Sequence, residues 1–258
     1  MTFTRSLSSI ELHFDDYKLL TLQRQAAPDS SIPLRQQTLN LSSPKRSMQL
    51  TSATLQPIQI KATYLSATQY HPTTPSVGLK KLIFSRFYTP VQPTDLTKQI
   101  TAIAFLRIAT AHLQISISPK FATEFERAQK KPPPKTTKIS MLCVSKSEFD
   151  ASTHNDPVFA ELIPRTQGRV YIGFPTHQTT GFGGHVGAPA LVPTVERESI
   201  DLADAQLRIW NGELLSCVGI FARYILNLIV LMKGCYMIMR WIIFRDELYL
   251  ENQRIRRW

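Results

Sequence analysis

Between Gly168 and Leu215 the chain reads GRVYIGFPTHQTTGFGGHVGAPALVPTVERESIDLADAQLRIWNGELL, and no other stretch limits the fold as narrowly. Val170 to Phe174 is β-branched and aromatic, with Gly168 before it and Pro175 after it, which predicts a short buried strand. Gly181, Gly183, Gly184 and Gly187 then supply four of the chain's ten glycines. A loop that concentrates glycine either turns tightly or lets its backbone approach another group closely. Beyond Pro193 the period changes. Ile200, Leu207, Trp210 and Leu214 fall at helical spacing, Ser199 is placed to cap, and Asp201 and Asp204 put negative charge in the first turn. These residues specify strand, loop and helix, but no chemistry.

Upstream, Ser9 to Gln25 reads as two strands joined by an acidic turn at Asp15-Asp16, a solvated turn rather than a pair of metal ligands. Opening directly on strands implies that the chain starts inside a domain. Ala26 to Pro44 has loop composition. Pro57 to Leu65 alternates cleanly, with Ile58, Ile60, Ala62 and Tyr64 on one face of a half-buried strand. Between His71 and Thr97, Pro72, Pro75, Pro90 and Pro93 interrupt any period, and the basic apolar patch KKLIFSRFY spans Lys80 to Tyr88. Ala102 to Ser118 is strand-like. Ser118-Pro119 then predicts a helix start, a hydroxyl cap before a proline whose missing N–H costs nothing there. Phe121, Phe125 and Ala128 make that helix's stripe, and Pro132 to Pro134 stops it. Thr137 to Ser145 follows as a strand, with short helical stretches around Phe149 and Phe159.

The 258 residues are 43% hydrophobic and 19% charged, with a net charge of +11, enough material for one large domain or two small ones. The basic balance suits an anionic partner, yet the charge is spread along the chain. The cluster Arg127, Lys130, Lys131, Lys135 and Lys138 lacks an aromatic stacking platform, so it reads as a solvated face and nucleic acid is an unfavoured partner. Cys143, Cys217 and Cys235 form no C-x-x-C pair, which excludes a disulfide framework and fits a reducing compartment. Met1 to Phe14 has no apolar run, no signal peptide is visible, and a cytoplasmic location is expected. Leu214 to Met232 has the length of a membrane span but carries Arg223 near its middle, at a cost of about 2.5–3.5 kcal/mol for insertion. A buried helix, or a non-native tail from a misread intron, fits better than a membrane anchor over 214–244.

No G-x-x-x-x-G-K-[ST] loop is present, and the TGFGGH loop leads to prolines instead of opening a helix. His177 and His185 lie on either side of the glycines without further metal ligands near them, so no metal is expected. Thr179 and Thr180 have no base to activate them, so no catalytic residue is assigned.

The runs PTHQTTGFGGH and VPTVERESIDL, preceded by FERAQKKPPPKTTKIS at Phe125 to Ser140, resemble a group of large fungal proteins carrying a sacsin-like ATPase module of the GHKL class (gyrase, heat-shock, histidine-kinase and mismatch-repair enzymes). The resemblance covers most of Thr4 to Leu215 and matches the segment after the nucleotide-binding domain. The class's own nucleotide boxes are missing, so the chain is expected to be no enzyme alone. ATP and Mg²⁺ belong to an upstream domain of a full-length parent, of which this chain would be a truncated product. The resemblance implies an α+β fold with a mixed sheet and a few packed helices, its second domain running strand-helix-strand-strand. The expected division is a β-rich junction over 1–70, a Pro-rich linker over 71–98, a transducer-like domain over 99–215 and an apolar, basic helical tail over 216–258. It also implies a coupling role toward that ATPase domain in cis, with protein clients as further partners, and nucleotide contact from outside through Arg197, Gly181, Gly183, Gly184 and His185. Arg197 is the sharpest of these, because second domains of the class send a basic side chain to the γ-phosphate. Its neighbours Glu196 and Glu198 supply the competing reading, a surface ion pair. A basic protein held on a membrane by 214–244 and a nucleic-acid-binding module are the alternatives.

Overall fold

Two long strands carry the fold. In the computed structural model, β4 (Met48–Ser66) and β5 (Lys98–Ile115) pair antiparallel from Met48 opposite Ile115 to Ser66 opposite Lys98. Both far exceed the usual strand of about 5–6 residues. Residues 3, 6–15, 17–34, 42–66, 98–153, 155–160, 162 and 167–231 are described. The remaining strands are β1 (Ser9–Phe14), β2 (Tyr17–Ala26), β3 (Ser30–Ser31), β6 (Thr136–Cys143), β7 (Arg169–Tyr171), β8 (Pro175–Thr179) and β9 (Val186–Gly187). They join one sheet in the order β1-β2-β4-β5-β6-β9-β7-β8, with β3 also on β4. The β7–β9 pair is parallel and the other ladders antiparallel, so the sheet is mixed. Three α-helices accompany these nine strands among the described residues: α1 (Pro119–Gln129), α2 (Lys146–Ala151) and α3 (Ala205–Leu231). The fold is α+β.

Strand alternation explains why the ribbon is so long. On β5, Ala102, Ala104, Leu106 and Ile108 are buried on one face, while Ala109, Ala111, Leu113 and Ile115 are buried on the other. On β4, Ile58, Ile60 and Ala62 match the first set, and Met48, Leu50 and Ala53 match the second. The ribbon therefore serves two cores on opposite faces. Phe125 of α1 and Trp210, Leu214, Cys217, Phe221 and Ile225 of α3 cover the larger one, with the Phe125 and Trp210 rings 4.6 Å apart. Leu142 and Phe159 complete the smaller one, the latter from a 3-10 turn at Pro157–Phe159.

Several local expectations hold. Ser118 caps α1 by accepting from the Phe121 amide at 3.2 Å, with Pro119 at its first helical position. β1 and β2 meet as a hairpin whose turn includes Asp15 at a φ of 49°. Ile58, Ile60 and Ala62 are buried together. In the stripe predicted for α1, Phe125 is buried, Phe121 half-buried and Ala128 exposed.

Other expectations are corrected. The strand expected over Val170 to Phe174 ends at Tyr171, because Gly173 takes a φ of 86° and turns the chain back so that Tyr171 pairs with Pro175. The last helix is not capped by Ser199. It starts at Ala205, where Asp204 Oδ1 accepts the amides of Gln206 and Leu207 at 2.8 and 3.0 Å. The boundary expected after Leu215 falls inside α3, and Cys217, Phe221, Ala222, Ile225 and Leu226 beyond it are buried. Among the described residues no helix is long and apolar enough to cross a membrane. Most of the expected linker and its basic patch, at 71–97, and the tail beyond 231 lie outside the described residues.

Candidate functional site

Polar side chains on the first half of α3 organise the loops around it. Asn211 is fully buried. Its Oδ1 accepts the Val192 amide at 2.8 Å, and its Nδ2 donates to the carbonyls of Val192 and Asp201 at 3.0 and 2.7 Å. Trp210 Nε1 donates to the Ala190 carbonyl at 2.8 Å. Together they hold both ends of a small hairpin, in which Pro193 bridges to Ile200 and the Thr194 amide donates to the Ser199 carbonyl. From β8, Gln178 Oε1 accepts the Ile200 amide, and the His177 amide donates to the Glu198 carbonyl. The base of the hairpin is fixed on two sides, and its tip stands clear: Val195 is 94% exposed, and Glu196, Arg197 and Glu198 are exposed beside it.

Arg197 sits on that tip with a φ of 61°, its amide donating to the Thr194 carbonyl at 2.9 Å. Among the described residues no carboxylate lies within ion-pair distance of its guanidinium. The nearby pair is instead His177 Nδ1 with Glu198 Oε2, at 4.0 Å and both well exposed.

The glycine loop does something else. A Cβ on Gly168 would stand 1.8 Å from the Gly184 carbonyl oxygen, and one on Gly184 would meet the Phe182 ring at 2.7 Å. Thr180 Oγ1 donates to the carbonyls of Phe182 and Gly184, both at 2.8 Å, and Gly181 takes a φ of 72°. The close approach is made by the protein to itself. His185 is buried, accepts the Arg169 amide at Nδ1 at 3.0 Å, and meets the Tyr171 ring edge-on at 5.3 Å. Gly181, Gly183, Gly184 and His185 thus form a packed turn against the start of β7, and Arg197 belongs to a separate hairpin.

Two carboxylates have specific structural duties. Glu213 on α3 accepts the hydroxyls of Ser43 and Ser47 and the Lys45 amide, pinning the turn before β4. Glu148 accepts the Ser145 amide and hydroxyl in a capping box and pairs with Arg107. It borders a cavity of about 580 Å³ whose walls are mainly apolar: Ala26, Ala27, Pro57, Ile58, Phe105 and Leu106. Among the described residues no three His, Cys, Asp or Glu side chains group as metal ligands.

Asn211 and Glu213 escaped the sequence reading, although Asn211 continues the Leu207-Leu214 stripe and Glu213 lies between Trp210 and Cys217 at helical spacing. A polar residue on a buried stripe is the signal that a clasp must satisfy it.

The family described as a protein of unknown function (DUF3684) matches residues 1–86 and 84–229. No curated protein and no solved structure matches the chain.

Proposed function

The chain belongs to the DUF3684 family, whose function is unknown, and we propose that it is a non-catalytic coupling domain that touches a neighbouring domain through the Thr194–Ser199 tip. The observation that carries this reading is Arg197: exposed at the end of a braced hairpin, beside a fully exposed valine, with neither flanking glutamate holding its charge. A large apolar side chain and a cation without a counter-charge among the described residues, presented together from a braced base, suit a contact that forms only with a partner. The motif resemblance supplies the partner's class, a sacsin-like GHKL ATPase domain in cis, and the order β5, α1, β6, α2, β7 supports a strand-helix-strand-strand domain after the nucleotide site with the short α2 inserted before its last strand. In that setting Arg197 neutralises charge developing on the γ-phosphate, and the glycine turn is scaffold.

The test joins the chain to the nucleotide-binding domain of a sacsin-like protein. Arg197→Ala should slow ATP hydrolysis about tenfold, equivalent to about 1.4 kcal/mol, and leave ADP binding unchanged. Unaltered turnover in a folded variant overturns the role.

A further inference from the structure

On the face of the sheet away from α1 and α3, the smaller core ends at Ile108, and a row of polar residues succeeds it. Thr54, Thr110, Ser140 and Gly187 lie opposite one another across β4, β5, β6 and β9. The Thr110 and Ser140 hydroxyls are 3.1 Å apart. Because Gly187 has no side chain, the Phe3 ring lies over β9, where a Cβ would meet it at 3.1 Å; it also stands 5.4 Å from the Tyr171 ring between centroids and packs against the smaller core. Phe3 thereby walls a cavity of about 310 Å³ whose other sides are Arg24 of β2, Gln56 of β4 and Lys138 of β6. Arg24 and Lys138 are half-buried. Arg24 Nη2 donates to Gln56 Oε1 at 3.4 Å, and burial pushes its guanidinium pKa down from the ordinary value. Asp29, exposed, also borders the cavity.

We propose that this basin binds a small phosphate monoester, with Arg24 and Lys138 meeting its charge and the hydroxyls of Thr54, Thr110 and Ser140 donating to its oxygens. Two cations and three hydroxyls from four different strands converge on one small space, the donor set a tetrahedral dianion requires and more than a two-oxygen carboxylate uses. Cations set into a partly buried wall are screened less by salt than those on an open face. The volume is at the lower end of the range of about 300–1,000 Å³ typical of small-molecule pockets, which suits a phosphate with a few carbon atoms. Phe3 and Ile108 supply the apolar surface for those carbons. The site is independent of the Arg197 tip and of any ATPase partner.

Calorimetric titration of the full chain with inorganic phosphate, glycerol phosphate and acetate tests it. Glycerol phosphate should bind saturably at one site, at least as tightly as inorganic phosphate and at least tenfold more tightly than acetate. Tighter binding of inorganic phosphate than of glycerol phosphate would identify a free-phosphate site and overturn the ester assignment. Lys138→Gln and Arg24→Gln should each weaken binding about fivefold or more, Thr110→Val should weaken it less, and Asp29→Asn should tighten it by removing a repelling charge. Circular dichroism checks each variant's fold, and Lys138→Gln alone decides the matter if Arg24→Gln fails to fold. Absence of saturable binding, or affinity unchanged by Lys138→Gln but lost on replacing Arg127 and Lys130 on the distant end of α1, would overturn the proposal.

Discussion

Arg197 holds a left-handed backbone, which costs an L-residue about 1–2 kcal/mol and a glycine nothing. Arg197→Gly removes that strain but adds unfolded-state freedom worth about 0.5–1 kcal/mol, so its stability should stay within about 1 kcal/mol of the parent in urea titration. It therefore removes the side chain without harming the fold, and a large loss would mean that the guanidinium is a packing element. Cys217 offers a pH test. Burial, then the nearby Glu213 charge, pushes its thiol up from 9.0 to about 12. Above pH 9.0 the unfolded chain releases a proton that the folded chain keeps, so stability falls by about 1.4 kcal/mol per pH unit until pH approaches 12. Below pH 9.0 both states keep the proton and the dependence vanishes. Cys217→Ala should flatten this alkaline slope by about one proton's worth in urea midpoints measured from about pH 8 to 11, and an unchanged slope would contradict the burial.

The helix α3 and the glycine turn show how elements divide the work. Gly212 and Gly219 lie on α3 with open space where a Cβ would go. Gly212→Ala and Gly219→Ala should each stabilise by about 0.5–1 kcal/mol, read as a rise in melting temperature. Gly168→Ala has the opposite sign, because its Cβ would overlap the Gly184 carbonyl and two strand ends would have to separate. A loss above about 3 kcal/mol is expected, the range of severe overpacking. Ending the chain after Leu215 should unfold it. Phe221, Ile225 and Leu226 would leave the core, at about 1.5–3 kcal/mol each, against a total stability of about 5–15 kcal/mol. Circular dichroism of the shortened chain decides between this and a tail without packing partners.

Over the whole molecule, the β4–β5 ribbon is the common wall of both cores, so neither can be lost while the other keeps its strands in register. A single cooperative melting transition follows. Leu106→Ala in the smaller core and Leu113→Ala in the larger should both lower that same transition, at about 2–5 kcal/mol each for a buried leucine. Two transitions, each moved by only one of the variants, would mean that the ribbon does not couple the cores. The same wall positions the two surface features. One face holds α3, which clasps the Arg197 hairpin, and the other holds the Arg24–Lys138 basin.

Signals within a few residues of each other were legible without coordinates. The β1–β2 hairpin, the Ile58-Ile60-Ala62 face and the Ser118-Pro119 helix start all depend on neighbours along the chain, where alternation and capping act. The residues of the Arg197 tip were visible for the same reason, as a charged cluster between Pro193 and the last helix. What the tertiary structure decided depends on groups distant in sequence. The buried face of β5 switches between Ala102–Ile108 and Ala109–Ile115 because helices from after Ser118 cover one face along one half of the strand and the Phe159 turn covers the opposite face along the other. The glycine run reads locally as either a tight turn or a ligand cradle; Gly168, earlier in the chain, occupies the space and makes it a turn. Arg24, Thr110 and Lys138 look ordinary on their own strands, and only the sheet order β2-β4-β5-β6 brings them into one basin. Periodicity fixes which side of an element is apolar, whereas burial is settled by what folds against it from elsewhere in the chain.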